Sequence, residues 1–255
     1  MTRCPLWKAA ITSVAKNSNH NFVKETKKIL YKHTPKYKGI INTDEKNNLT
    51  TRKYAREKRE IKIRLKKVYK SISEISNKSI IVDASKYVPY AKLLTEIGDI
   101  EVKYIHIVRD LINVHSSRSE RKKIANTGKH TDRYSFVRTY LGWHVYNIMA
   151  KKLCSKSMSC NIKYENMCRE PARTIQNIVE KLQLGWDVNQ IFTGPRAVYL
   201  PKGHIPAGNA MRFENREIKI EDRNKKDNST SEILKRLVKT VTFYDQATST
   251  DHKSV

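Results

Sequence analysis

The sequence lacks several features that would assign a function directly. No segment approaches the roughly 18–20 consecutive apolar residues of a membrane span, and the N-terminus has no long apolar core, so no signal peptide is expected. The four cysteines form no Cys-x-x-Cys pair. Zinc is therefore not predicted, and reduced thiols in a cytoplasmic protein are expected. No Gly-x4-Gly-Lys-Ser/Thr loop is present, which argues against a nucleotide kinase.

Acidic residues are scarce relative to basic ones. The 255 residues include 51 Lys plus Arg and 25 Asp plus Glu, giving a formal net charge of +26. Hydrophobic residues make up 38%, enough for the core of one domain. Such an excess of positive charge indicates an anionic partner. Phosphate, sulfate, nucleic acid, an acidic polymer and an anionic membrane surface all remain open.

One long amphipathic helix is predicted between Tyr54 and Ile75. Its apolar residues recur in steps of three and four, which places them on one face. They are Tyr54, Ile61, Leu65, Val68, Ile72 and Ile75. The opposite face is rich in Lys and Arg, as in a solvated helix surface. The alternatives are a helix that binds RNA or a membrane surface.

The middle of the chain predicts an α/β fold with a parallel sheet. Three β-rich runs occur, at 79–82, 102–108 and 161–164. Helical patterns follow or separate them, at Pro89–Ile97, from Arg109 to about Asn126, at about Arg133–Leu153 and from Pro171. The Arg133–Leu153 helix carries an apolar row of Val137, Leu141, Val145 and Ile148, and the last helix is expected to bury Ile175, Ile178, Val179 and Leu182. Strands alternating with helices favour a parallel sheet covered on both faces, with ligands at the carboxyl ends of the strands.

Arg109 and Ser117 are the first candidate site residues. Arg109 follows the second predicted strand, and Ser117 lies eight positions later in the next helix. A guanidinium group and a hydroxyl near a helix N-terminus can bind one phosphate group together. The alternative is an ion pair between Arg109 and Asp110 or another carboxylate.

The C-terminal part of the chain is predicted to contain a loop, a last helix and a tail. Residues Gly194 to Asn209 are rich in Gly and Pro and indicate a loop. A last helix is predicted over Ser231–Tyr244, and 246–255 is expected to be a disordered tail. Residues 1–245 then form a single domain.

Five segments in order resemble the PAPS-dependent sulfotransferases, where PAPS is 3′-phosphoadenosine 5′-phosphosulfate. They are RCPLWKAAI (3–11), IIVDASKYVPYAKLL (79–93), YIHIVRDLINVHSSRS (104–119), IKYENMCREP (162–171) and HIPAGNAMRF (204–213). Trp143 and Asn147 also match a Trp and an Asn on the family's helix after the phosphate motif. The similarity covers nearly the whole chain.

The resemblance implies a P-loop-like parallel sheet and a function. The protein would transfer a sulfuryl group from PAPS to a hydroxyl or amine acceptor, without a metal. Arg109 and Ser117 would hold the 3′-phosphate, and Tyr164 would lie near the adenine. The donor would be covered by a late loop with His204, Gly208, Asn209 and Arg212. Within the Asp-x-Ser-Lys segment that begins at Asp83, Ser85 and Lys86 would lie near the sulfate or the acceptor.

The sequence departs from the family at its N-terminus. The phosphate-binding loop Gly-x-x-Arg/Lys-Ser-Gly-Thr-Thr that opens the family is absent, and no glycine precedes Gly39. A truncated sequence and a degenerate protein are both consistent with this departure. In the second case sulfuryl transfer is impaired and nucleotide binding can survive. The acceptor (glycan, lipid, phenol or peptide) stays open.

No general base is identified from the sequence. His20, Glu25 and His33 are the early candidates, and none is preferred. The alternative function is a non-catalytic basic protein that binds nucleic acid.

Overall fold

The computed structural model describes residues 4–15, 19–33, 52–85, 87–121, 130–200 and 216–220. In these ranges the chain forms eight α-helices and two small sheets. The helices are α1 (Pro5–Ala15), α2 (Asn19–His33), α3 (Arg52–Ser76), α4 (Val88–Thr95), α5 (Leu111–Ser119), α6 (Phe136–Cys154), α7 (Tyr164–Arg169) and α8 (Pro171–Lys181). The strands are β1 (Tyr104–Val108), β2 (Ser159–Lys163), β3 (Phe192–Gly194), β4 (Ala197–Leu200) and β5 (Arg216–Lys219).

The long helix predicted from Tyr54 to Ile75 is confirmed as α3. Its apolar face buries Ile61 and Leu65 against Leu93 and Leu94 of α4. Side chains from α2 pack on the edge of the same cluster. Burial of each of these aliphatic side chains contributes about 1.5–3 kcal/mol to the stability of the fold. This cluster therefore holds α2, α3 and α4 together.

The parallel arrangement predicted for the middle of the chain is confirmed for β1 and β2. Tyr104 pairs with Ser159 and Val108 with Lys163, in one unbroken register. Helices α5 and α6 form the crossover between the two strands. Helix α6 contacts β1, and α8 packs on β2.

The core beneath α8 matches the apolar positions expected there. Ile178 and Leu182 pack on Cys160 and Ile162 of β2, with Ile175 at the edge. Val179 is also buried. The helix begins at Pro171, because proline in the first turn lacks only an N–H that would have no helical partner.

The strand predicted at 79–82 is wrong. Residues 79–85 have no regular secondary structure, and the Val82 side chain is 84% exposed. A strand needs a hydrogen-bonded neighbour, and β1 pairs with β2 alone among the described residues. Local β propensity cannot replace a missing partner strand.

One expectation about the helices around the sheet also fails. Helix α5 ends at Ser119 rather than near Asn126, because Glu120 adopts an extended backbone. In α6 the apolar row is mainly exposed, since Val137, Leu141 and Ile148 all face outward. The buried positions of α6 are Thr139, Gly142, Ala150 and Cys154.

A hairpin replaces the first part of the loop predicted from Gly194 to Asn209. Strands β3 and β4 are antiparallel and joined by Pro195 and Arg196, and β4 pairs with β5. The Arg196 guanidinium donates to the Cys168 carbonyl over 2.8 Å and ties the hairpin to α7. The remainder of that loop, the helix predicted at Ser231–Tyr244 and the tail 246–255 lie outside the described residues.

Candidate functional site

The carboxyl ends of β1 and β2 bring Arg109 and Tyr164 together. Val108 and Lys163 are paired at the last register position of the parallel strands. The residues that follow them, Arg109 and Tyr164, therefore lie at the same edge of the sheet. The Arg109 guanidinium carbon lies 4.8 Å from the centroid of the Tyr164 ring, which is within the range of a cation–π contact.

Helix α6 fixes the backbone of Arg109 through Trp143 and Asn147. The Trp143 indole Nε1 donates to the Arg109 carbonyl over 2.9 Å. Asn147 Nδ2 donates to the Trp143 carbonyl over 2.7 Å, and Asn147 Oδ1 lies 2.9 Å from His106 Nε2. Since an amide oxygen only accepts, His106 carries its proton on Nε2. These hydrogen bonds join the strand to the helix directly beside Arg109.

The carboxylates near Arg109 are used for backbone contacts. Asp110 caps α5, since its Oδ1 accepts from the Asn113 N–H over 3.0 Å. Glu165 Oε1 accepts from the Asp110 N–H, also over 3.0 Å. No ion pair of Arg109 with a carboxylate is found among the described residues. The alternative interpretation of Arg109 as an ion-pair partner of Asp110 is therefore wrong in this part of the chain.

The guanidinium of Arg109 has an unused donor. Its Nε is buried and has no hydrogen-bond partner among the described residues. A buried donor without an acceptor costs about 1–3 kcal/mol. The arrangement is thus suited to an oxyanion, which a guanidinium binds through paired N–H groups.

Ser117 lies on α5, within the same helix that Asp110 caps. It is partly buried and sits about 10 Å along the helix axis from the cap, at 1.5 Å per residue. The contact between α5 and α6 includes an edge-to-face pair of His115 and Phe136, with ring centroids 5.2 Å apart. His115 Nδ1 and His144 Nε2 are buried without partners in the described residues.

The sequence interpretation missed His115 and His144. The two histidines had no local signal, because their burial depends on how α5 packs against α6.

Ser85 belongs to a turn that Asp83 stabilises. Asp83 Oδ1 accepts from the Ser85 N–H over 2.8 Å, and its other oxygen accepts from the Tyr69 hydroxyl. The Tyr69 and Tyr90 hydroxyl oxygens are 2.8 Å apart. Burial raises the pKa of Tyr90 to about 12, and burial, reinforced by Tyr90 and Asp83, raises the pKa of Tyr69 still further. Asp83 therefore anchors this segment to α3 and α4.

Five of the predicted site residues lie outside the described residues. They are Lys86, His204, Gly208, Asn209 and Arg212. Of the early general-base candidates, Glu25 lies on α2, where it pairs with Arg64 at 3.1 Å. That carboxylate therefore has a structural role, because its ion pair joins α2 to α3.

None of the four cysteines forms a disulfide in the described residues, and no group of three or more His, Cys, Asp or Glu side chains in those ranges could hold a metal ion. None of the described helices is long and apolar enough to cross a membrane. No family model, curated protein or solved structure matches the chain. Function is therefore inferred from the residues at the strand ends.

Proposed function

We propose that the chain binds a phosphorylated nucleotide donor at the ends of β1 and β2 and transfers a sulfuryl group from PAPS to a hydroxyl or amine acceptor. One observation supports this most strongly. Arg109 leaves a parallel strand over the Tyr164 ring, with a buried Nε that has no acceptor among the described residues. In parallel sheets, ligands bind at this end of the strands.

In this proposal Arg109 binds the 3′-phosphate of the donor. The nearby carboxylates of Asp110 and Glu165 accept backbone N–H groups, and neither forms an ion pair with Arg109 in the described ranges. Trp143 holds the Arg109 carbonyl, which limits the freedom of the strand end. A phosphate group would supply the acceptor that Arg109 Nε lacks, and Ser117 would add a hydroxyl donor.

Tyr164 contacts the adenine in this proposal. One face of its ring is directed towards the Arg109 guanidinium, and the base would lie against the remaining surface of the ring. The loop with His204, Gly208, Asn209 and Arg212 would close over the nucleotide, and Ser85 and Lys86 would lie towards the sulfate or the acceptor.

The reaction itself is a direct displacement at sulfur. The acceptor oxygen or nitrogen forms a bond to sulfur as the bond between sulfur and the bridging oxygen of PAPS breaks. The acceptor loses a proton, and 3′-phosphoadenosine 5′-phosphate (PAP) leaves. As in phosphoryl transfer, such a step depends on positioning and on stabilisation of charge on the leaving oxygen.

Calorimetric titration with PAP tests the binding site. We expect micromolar binding by the wild-type chain, and Arg109→Ala is expected to weaken it about 10- to 100-fold, as expected for lost hydrogen bonds to a charged group. Arg173→Ala is the matched control, because Arg173 is exposed on α8 and pairs with Glu170. Absence of PAP binding by a folded wild-type chain would overturn the proposal.

A second candidate is a non-catalytic protein that binds nucleic acid, and the exposed face of α3 favours it. Arg52, Arg56, Arg59, Lys67 and Lys70 are exposed at helical spacing and span about 27 Å along the axis. If five such cations contact phosphates, the affinity for duplex DNA falls with salt at a logarithmic slope near −4.5. A decrease of that slope to about −1.8 in an Arg52→Ala, Arg56→Ala, Arg59→Ala variant, which keeps two of the five cations, with no response to Arg109→Ala, would favour this candidate over the enzyme.

A further inference from the structure

A second cationic site lies where α5 ends and α6 begins. Its lining consists of Arg121, His130, Thr131, Asp132, Arg133 and Arg138. We call this site the basic pocket. Its volume is about 400 Å³, which is within the range of small-molecule sites. We call the site of Arg109 and Tyr164 the strand-end site. Helix α5 connects the two sites, and the distance along its axis from Asp110 to Arg118 is about 12 Å at 1.5 Å per residue.

The basic pocket has an excess of positive charge. Among the described residues of its lining are three arginines and one carboxylate, that of Asp132. Neither Asp132 nor any of the three arginines forms an ion pair within the described part of the chain. Arg118 supplies a fourth guanidinium beside the pocket, since it lies 5.4 Å from the centroid of the Tyr134 ring.

Stacking holds part of this charge in place. The Arg138 guanidinium carbon lies 4.0 Å from the Tyr134 ring centroid, so Tyr134 contacts both Arg118 and Arg138. The Tyr134 N–H also donates to the Arg118 carbonyl over 3.2 Å. A guanidinium that rests on a ring keeps its N–H groups free at the edge of its plane for an oxyanion.

The lining of the basic pocket also restricts the chemistry of its ligand. No described residue of the lining has an aliphatic or aromatic side chain. Lipid tails and phenols gain affinity by burying apolar surface, and the described residues of the lining offer them little of it. A hydrophilic molecule that carries sulfate or carboxylate groups gains charge-assisted hydrogen bonds here.

We infer that the basic pocket binds an anionic group of the acceptor, and that the acceptor is an acidic oligosaccharide. This inference rests on the proposed function, because sulfuryl transfer needs a second substrate with a hydroxyl or amine. An acidic oligosaccharide carries hydroxyls and repeated anionic groups along one chain. One anionic group can therefore occupy the basic pocket while a hydroxyl elsewhere on the chain reaches the strand-end site.

The test uses a fluorescent sulfated hexasaccharide and its unsulfated counterpart with the full chain. We expect the sulfated probe alone to bind, and the Arg133→Ala, Arg138→Ala variant to weaken binding about tenfold or more through loss of charge-assisted contacts. An Arg52→Ala, Arg56→Ala variant on α3 loses the same charge elsewhere and is expected to change the affinity less than twofold. PAP affinity is expected to be unchanged in both variants.

Three results would overturn the inference. Equal weakening by the pocket and α3 variants would mean that the probe binds the overall charge. Equal binding of the unsulfated probe would remove the role of the anionic group. Tighter binding of a single-stranded RNA of equal charge, lost in the pocket variant, would assign the pocket to nucleic acid. If the wild-type chain binds the sulfated probe through the pocket and does not bind PAP, the proposed function fails and the pocket remains a polyanion site without a donor.

Discussion

Two regions of the molecule use their positive charge differently. One is the group of helices around α3, called the helical side, and the other lies around the ends of β1 and β2 with α5 and α6, called the strand-end side. Several cations of α3 have carboxylate partners: Lys58 lies 2.8 Å from Glu96, Arg64 lies 3.1 Å from Glu25, and Lys66 pairs with Asp99. Around α5 and α6, Arg109, Arg118 and Arg138 instead lie over tyrosine rings. None of those three forms an ion pair in the ranges that the structure describes.

This difference separates structural charge from charge available to a ligand. A paired cation gains little from a further anion, because its carboxylate partner already neutralises it. A cation that stacks on a ring keeps its hydrogen-bond donors and its charge. The net charge of +26 therefore says less about function than the positions at which cations have no carboxylate partner.

Substitution of Arg64 should have the largest effect on stability. Its side chain is 17% exposed, contacts Glu25 and Glu60, and donates to the Thr26 hydroxyl over 3.1 Å. We expect Arg64→Ala to lower the free energy of unfolding by about 2 kcal/mol, because several charged hydrogen bonds are lost at once. Urea denaturation measures the change. A weakening of PAP binding by more than about twofold would contradict the assignment of Arg64 to structure alone.

High pH should destabilise the contact that anchors Asp83. The pKa of Tyr90 is raised by burial from 10.0 to about 12, and that of Tyr69 is raised as well. Because the folded state favours the neutral phenols, their contribution is complete below pH 10 and declines as pH rises towards 12 and above. Urea midpoints measured at pH 9, 10 and 11 should therefore fall above pH 10. The Tyr69→Phe, Tyr90→Phe variant should fall less steeply, and an identical slope would refute this origin.

Substitution of Trp143 tests the strand-end side of the comparison, because Trp143 is expected to affect nucleotide binding through Arg109. Trp143→Phe removes the 2.9 Å hydrogen bond to the Arg109 carbonyl and keeps an aromatic ring. Loss of one hydrogen bond of about 1 kcal/mol predicts about a fivefold weaker affinity for PAP. Trp186→Phe, at an exposed position, is the control. If both variants bind PAP as the wild type does, Trp143 does not position Arg109.

The smallest effect is expected at the exposed pair of Lys66 and Asp99. Lys66 lowers the pKa of the Asp99 carboxyl through a hydrogen bond and its charge, yet both side chains are exposed. Water and salt screen such pairs strongly. Lys66→Ala should leave the urea midpoint at pH 7 within experimental error. A large loss of stability would contradict the expectation that an exposed ion pair contributes little to the fold. Paired and stacked cations could then not be divided simply into those that stabilise the fold and those that bind a ligand.

Patterns local in sequence predicted much of the fold. The spacing of Ile61, Leu65 and Ile72 identified α3 and its buried face, and short β-rich runs identified β1 and β2. The strand at 79–82 failed, since a strand depends on a neighbour that the local sequence does not specify. The exposure of the apolar row on α6 was not predicted, because helical periodicity places these residues on one side without specifying which side of the helix faces the core.

The candidate site was predicted only in part. Arg109 and Tyr164 follow two strands, so parallel pairing alone brings them to one edge. The contact of Trp143 with the Arg109 carbonyl depends on the crossing of α6 over β1, which no periodicity specifies. The basic pocket brings Arg121 together with Arg133 and Arg138, and only the packing of α5 on α6 reveals it.

The dependence of nucleotide affinity on the 3′-phosphate tests the central claim most directly. PAP and adenosine 5′-phosphate differ only in that group, so their affinities should be compared in the wild-type chain and in Arg109→Ala. We predict that the wild type binds PAP about 10- to 100-fold more tightly, as charged hydrogen bonds would give. Arg109→Ala should then bind the two nucleotides equally. An undiminished preference for PAP in that variant would contradict the account, because the 3′-phosphate would then be bound elsewhere.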